Sequence, residues 1–140
     1  MAGYSGTPLV TKLGIKENFN AAFVNAPAGY EESLGLSPSV TVNSRSKKPL
    51  DFVQLFVTTR RELEQRFPQY SAKLNASAMF WISWPKKSSG VATDLSEDVV
   101  RAIGLANGMV DVKVCAVDDI WSGLKFVFRL KDRPKLRFRP

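Results

Sequence analysis

VDVKVCAVDDIWSGLKFVFRL, residues 110–130, decides the architecture. Apolar and polar residues alternate on both sides of a short break, from Val110 to Val117 and from Gly123 to Leu130. That is the period-2 pattern of strands. On this reading Val110, Val112, Val114 and Ala116 share one face. Only Asp118 to Ser122 separates the two runs. A parallel crossover needs about a dozen residues or more, so the two strands are antiparallel neighbours.

Upstream the pattern changes. Ala21–Asn25, Val40–Asn43, Asp51–Val57 and Ala78–Trp84 are short β-rich runs separated by helical patterns or turns. DFVQLFV (51–57) is apolar at every other position and in between, except for Asp51 and Gln54. Near-continuous apolarity of that kind belongs to a parallel strand covered on both sides. A short helix is expected around Tyr30–Leu34, and Ser44–Pro49 is expected to be a solvated loop. Thr59-Arg60-Arg61-Glu62 fits a capping box. Leu63, Phe67, Tyr70 and Leu74 form one helical stripe behind it, with a kink or break expected at Pro68. Asp94 and Glu97 mark the start of another helix with Leu95, Val99, Ile103 and Ala106 buried, and Asn107-Gly108 its stop. The sum is a single α/β three-layer sandwich, mostly parallel, ending in an antiparallel strand pair.

Its 140 residues, 44% hydrophobic and 24% charged, suit one domain of that type. No histidine is present, which excludes the Ser-His-Asp triad and the HExxH zinc site. One cysteine, Cys115, excludes an internal disulfide or a CxxC pair, and mid-strand among valines it reads as a core residue. Charge is uneven. Arg129–Pro140 holds six basic residues and one acid, +5 of the chain's +7, so residues 1–128 carry only +2. The division is therefore a domain over 1–128 and a basic C-terminal tail over 129–140. No apolar run approaches the roughly 20 residues of a bilayer span. The start, MAGYSGTPLVTKLGI, lacks the pattern of a secretory signal, so a cytoplasmic protein without a membrane partner is expected.

This element order resembles a shortened class I methyltransferase, a Rossmann-like fold. The resemblance implies spatial strand order 2-1-3-4-6-5 with the sixth strand reversed. SWPKKSSGVATDL (83–95), DVKVCAVDDIWSGLKFV (111–127), Leu13–Lys16 and Trp121–Gly123 are also similar to a bacterial domain family to which no activity is attached. Methyltransferases of this class carry glycines and an acid after the first strand, and an Asp or Glu after the second that grips ribose hydroxyls. Here Asn25-Ala26-Pro27-Ala28-Gly29 and Asn43 stand at those places. Proline has no amide donor and the alanine Cβ atoms crowd the backbone. On the sequence alone, no S-adenosylmethionine, other cofactor or metal is expected.

Trp84, Lys86, Lys87, Ser88, Ser89, Gly90 and Thr93 follow the fourth strand and form the leading candidate site, for a small anionic ligand. Ligands of open α/β sheets sit beyond the carboxyl ends of strands, and lysines and hydroxyls there suit an anion. The alternative is a solvated connector. Asp118 and Trp121 are secondary candidates, and Asp119 beside them; turn chemistry with a packed indole is the competing reading. The tail interleaves Leu136 and Phe138 with its basic residues, which suits weak, salt-sensitive nucleic-acid binding or a loose end. The sequence expectation is thus a non-catalytic or cryptic-ligand-binding protein without S-adenosylmethionine-dependent activity, homo-oligomeric or not. The alternatives are an enzyme using the Lys86/Lys87 loop on a small anionic substrate, and a nucleic-acid-associated accessory protein acting through the tail.

Overall fold

Asn20–Val24 (β1), Thr41–Val42 (β2), Leu50–Phe56 (β3), Leu74–Pro85 (β4), Met109–Ala116 (β5) and Trp121–Phe128 (β6) form one sheet in a computed structural model that describes residues 7–43 and 47–136. Part of the expected Ser44–Pro49 loop and tail residues 137–140, with Phe138, lie outside the described residues. Sheet order is β2-β1-β3-β4-β6-β5. The first four strands pair in parallel, and β6 runs antiparallel to both β4 and β5. This is the order that the resemblance to class I methyltransferases implies, and β5 and β6 pair antiparallel as the brief break before Trp121 requires.

Two layers of helix cover the sheet. On one side lie Arg60–Ser71 (α3) and Glu97–Ala106 (α4), over Val53, Leu55, Phe80, Ile82, Leu124 and Phe126, all fully buried. Phe67 of α3 stacks on Phe80 at 4.7 Å and meets Phe126 edge-on at 5.4 Å. On the other side lie Leu9–Leu13 (α1) and Tyr30–Ser33 (α2), against Phe23, Phe52, Phe56 and Trp81. Burial on both faces explains the continuous apolarity of β3. Its one polar centre, Gln54, is fully buried. The Tyr30 hydroxyl donates to Gln54 Oε1 (2.8 Å), and Gln54 Nε2 donates to Ser83 Oγ (3.0 Å). Every member of that relay therefore has a partner, which is what burial of polar groups demands.

Several local expectations change. α3 runs unbroken through Pro68. Glu64 and Pro68 both lie on its exposed side, so the Glu64 carbonyl that proline leaves without a helix bond is on the solvent side and not in the core. Thr59 caps α3 by accepting from the Glu62 amide (3.1 Å), yet the Glu62 carboxylate turns to Asn25 and Arg66, so only half of a capping box forms. α4 is capped by Ser96, whose hydroxyl accepts from the Val99 amide (3.3 Å). Asp94 instead accepts from the first amide of α3, Arg60 N, at 2.7 Å. The buried stripe of α4 is Val100, Ile103 and Gly104, and Ala106 is exposed. A Cβ on Gly104 would stand 2.0 Å from Phe126 Cε1, so glycine sets how closely α4 lies on β6.

In β5 the register slips between Asp111 and Lys113. This β-bulge adds one residue and breaks the alternation. Val110 pairs with Val127 on the α1/α2 side, whereas Val114 pairs with Leu124 on the α3/α4 side. The four small apolar residues expected on one face are therefore split between two. Beyond β6 a 3-10 helix spans Leu130–Lys135; Arg133 Nε donates to Phe128 O (3.2 Å), and Leu136 packs on the α3/α4 core. Among the described residues no helix is long and apolar enough to cross a membrane.

Candidate functional site

The chain leaves β1 for β2 on one side and returns to β3 on the other, so the topological switch lies between β1 and β3. Ligands of open α/β sheets bind at that crevice, beyond the carboxyl ends of the strands. Asn25 stands there with φ 60° and ends β1. Its Nδ2 donates to Phe56 O (3.4 Å) across the crevice and to Glu62 Oε2 (3.1 Å) at the start of α3. Asn43 ends β2 in the same left-handed conformation, φ 51°. Asparagine tolerates that region better than most residues do.

Asn43 is not a substitute ribose ligand. Its Oδ1 accepts from Phe23 N (2.9 Å), so this half of the side chain extends the parallel ladder. Its Nδ2 donates to Glu31 Oε1 (2.9 Å), which draws a carboxylate from α2 to the end of β2. A carboxylate from a different element thus stands beside position 43. Sequence reasoning looked along one strand and missed it; the signal was an acid two residues past the Gly29 turn. That turn is more open than its composition suggests. Ala28 and Gly29 are exposed, and a Cβ on Gly29 would meet no protein atom within 4 Å. Pro27 still lacks an amide, so the turn offers fewer donors than a glycine-rich loop.

The sequence-derived candidates fall into separate roles. Trp84 is buried in the α3/α4 core. Ser89 Oγ donates to Lys86 O (2.6 Å), and Thr93 Oγ1 donates to Thr58 O (2.6 Å) while accepting from Leu95 N (3.0 Å). Ser89 thus braces the loop internally, and Thr93 ties it to the segment that follows β3. Lys87, Ser88 and Gly90 are exposed, and Lys86 is half-buried with its amide on Ile120 O (2.7 Å). The loop does sit at the carboxyl end of β4. Asp118 Oδ1 accepts from the amides of Ile120 and Trp121, both at 2.8 Å, and Trp121 packs edge-on against Phe56 at 5.1 Å. Asp119 is exposed. Cys115 is half-buried, and desolvation pushes its thiol up against the pull of Lys113, Lys12 and Lys86. Among the described residues no group of three or more potential ligating side chains could hold a metal.

No family model matches this chain, and no curated protein is similar to it. Its backbone is similar to solved methyltransferase structures. A SAM-dependent methyltransferase from Aquifex aeolicus superposes with a TM-score of 0.62 at 16% identity, over 84% of this chain and 86% of that one. The magnesium protoporphyrin IX methyltransferase of Synechocystis PCC 6803, with bound SAH, gives 0.58 at 10% identity over 86% and 78%. The fibrillarin pre-rRNA processing protein of Methanococcus jannaschii gives 0.57 at 11% over 87% and 69%. At these identities the likeness shows the fold. It also overturns the expectation of a non-catalytic or cryptic-ligand-binding protein without S-adenosylmethionine-dependent activity. Two of these three neighbours are named methyltransferases, one SAM-dependent and one with bound SAH.

Proposed function

We propose that the chain is an S-adenosylmethionine-dependent methyltransferase whose cofactor sits over the carboxyl ends of β1, β2 and β3. One observation carries this reading: the Glu31 carboxylate held at the end of β2 by Asn43 at 2.9 Å. A carboxylate accepts from both hydroxyls of a ribose, and such charge-assisted bonds are about twice as strong as neutral ones. Asn43 fixes Glu31 by its amide, and Asn25 with Glu62 forms the polar wall on the β3 side of the crevice. The open rim at Ala28 and Gly29 leaves room for a nucleoside beside them. When bound, S-adenosylmethionine supplies an electrophilic methyl group for an acceptor nucleophile.

Kinship with the bacterial family forms part of the same proposal. Its shared segments hold the fold together here: Leu13 O accepts from Trp81 Nε1 (2.9 Å), and Gly14, at φ 87°, lies where a Cβ would be 2.8 Å from Met79 Sδ.

Calorimetric titration of the full chain with S-adenosylhomocysteine tests the reading. One saturable site is expected, weakened at least about tenfold by Glu31→Gln, the loss of about 1.4 kcal/mol that removing one charged hydrogen-bond partner produces. Glu32→Gln, on the exposed side of α2, leaves affinity unchanged. No binding by the wild-type chain, or equal loss in both variants, overturns it.

A further inference from the structure

We infer that the α1/α2 face carries a second site, formed by Lys12, Lys16, Lys113 and Lys125, for a small molecule bearing a compact phosphate-class oxyanion. The inference is independent of the methyltransferase reading and concerns a different part of the surface. Lys113 and Lys125 are direct partners across β5 and β6. Like charges placed opposite one another destabilise a sheet. Both reach the end of α1: Lys113 Nζ donates to Lys12 O (3.2 Å), and Lys125 Nζ lies 4.0 Å from the Cβ position of Gly14. Lys16 follows two residues after Gly14. Lys113 and Lys16 are both close enough to act on the Lys125 amine, and Lys12 acts with Lys113 on neighbouring Cys115, so the four cations gather around this short segment.

Among the described residues no acid is paired with them. Every Asp and Glu of the chain lies among the described residues, and none of these is in ion-pair contact with any of the four lysines. The nearest acid in sequence, Glu17, is held by the hydroxyls of Ser37 (2.8 Å) and Ser39 (3.0 Å). Arg101 on the other face shows what the same chain does with a cation it keeps: Glu97, Asp98 and Asp111 all bind it. Burial, Lys113 and Lys16 all hold the Lys125 amine below its usual range. An oxyanion among the four would relieve that repulsion.

Compactness sets the ligand class. A nucleic-acid strand is tracked by charges strung along a groove, with aromatic rings for its bases. Here the charges gather at one place, and Lys16 also borders a depression of about 210 Å³ lined by Ile15, Leu36, Ser37 and Glu17, the last engaged by the Ser37 and Ser39 hydroxyls. That volume gives the remainder of a small phosphorylated molecule somewhere to lie.

Calorimetry with inorganic tripolyphosphate on the full chain provides the test. One saturable site is expected, with affinity falling at least tenfold in the K113M/K125M double variant and at least threefold in K16M, an exposed position that folding does not depend on. K73M, on the α3 side of the sheet, keeps its affinity within twofold. Absence of saturable binding overturns the inference, as does equal loss in K73M. Binding of a single-stranded oligonucleotide without binding of tripolyphosphate also overturns it, in favour of a nucleic-acid surface. Loss of S-adenosylhomocysteine binding in Glu31→Gln has no bearing on any of these outcomes.

Discussion

Against α3 and α4 the sheet presents Phe80, Ile82, Leu124, Phe126 and Met109, all fully buried, and the α4 arginine is held by three acids. Against α1 and α2 the same strands present Gln54, Ser83 and Lys125 beside their aromatic rings. One face is a plain hydrophobic joint. The other keeps a buried polar relay and an unneutralised cluster of lysines. The difference teaches where to look for function. Polar groups that cost stability are retained where a ligand or a geometry needs them, and the α1/α2 side and the adjoining carboxyl edge hold nearly all of them.

The sharpest break of this comparison is on the joint. Phe67→Ala removes a fully buried ring stacked on Phe80 and should cost about 3–5 kcal/mol in urea unfolding. A loss below about 1 kcal/mol would mean that α3 is not the stabilising half.

Next comes the relay. Tyr30→Phe leaves Gln54 Oε1 buried without its donor and should cost about 1–3 kcal/mol. Burial pushes the Tyr30 phenol above its usual range, so its neutral form belongs to the folded state. Its contribution is complete below the unfolded value of about 10 and is lost as pH rises beyond it, by up to about 1.4 kcal/mol per pH unit. Unfolding midpoints followed from about pH 8 to about pH 11 should therefore fall more steeply for the wild type than for Tyr30→Phe. Parallel curves would remove Tyr30 from the relay.

The smallest effect has the opposite sign. Lys125→Met removes one half of the facing lysine pair and should stabilise by about 0.2–1 kcal/mol at neutral pH. The Lys125 amine is depressed in the fold, so its penalty is present when both states are charged. It fades as pH rises through the folded value toward the unfolded one of about 10.4, and the gap between variant and wild type should close there. A variant less stable than wild type at every pH would show that the lysine stem, not its charge, matters.

The antiparallel pairing of the last two strands was legible because it depends on connection length: Asp118–Ser122 is too short for anything but an antiparallel return, while the order of the whole sheet came from the family resemblance. What depended on tertiary partners was not. Asp94 looked like the cap of its own helix and serves α3 instead, because the two helix starts lie side by side. Gly104 scores poorly as a helix residue, yet Phe126 permits nothing larger. Glu31 escaped notice because the residue that positions it, Asn43, lies on another strand. The candidate loop at Lys86 was visible as a loop, but the partners of its hydroxyls, Lys86 O and Thr58 O, are set by folding.

The bulge at Val112 bears on how such chains stay apart. β5 is an outer strand of the sheet, and its Val112 and Val114 are 54% and 50% exposed. A long, flat, apolar edge of that kind is a template for pairing with another chain. The slip between Asp111 and Lys113 interrupts the row of free amides and carbonyls halfway along. At the opposite edge, β2 spans only Thr41 and Val42. Among the described residues, then, both borders are short of the straight run that ladder growth by a second strand requires.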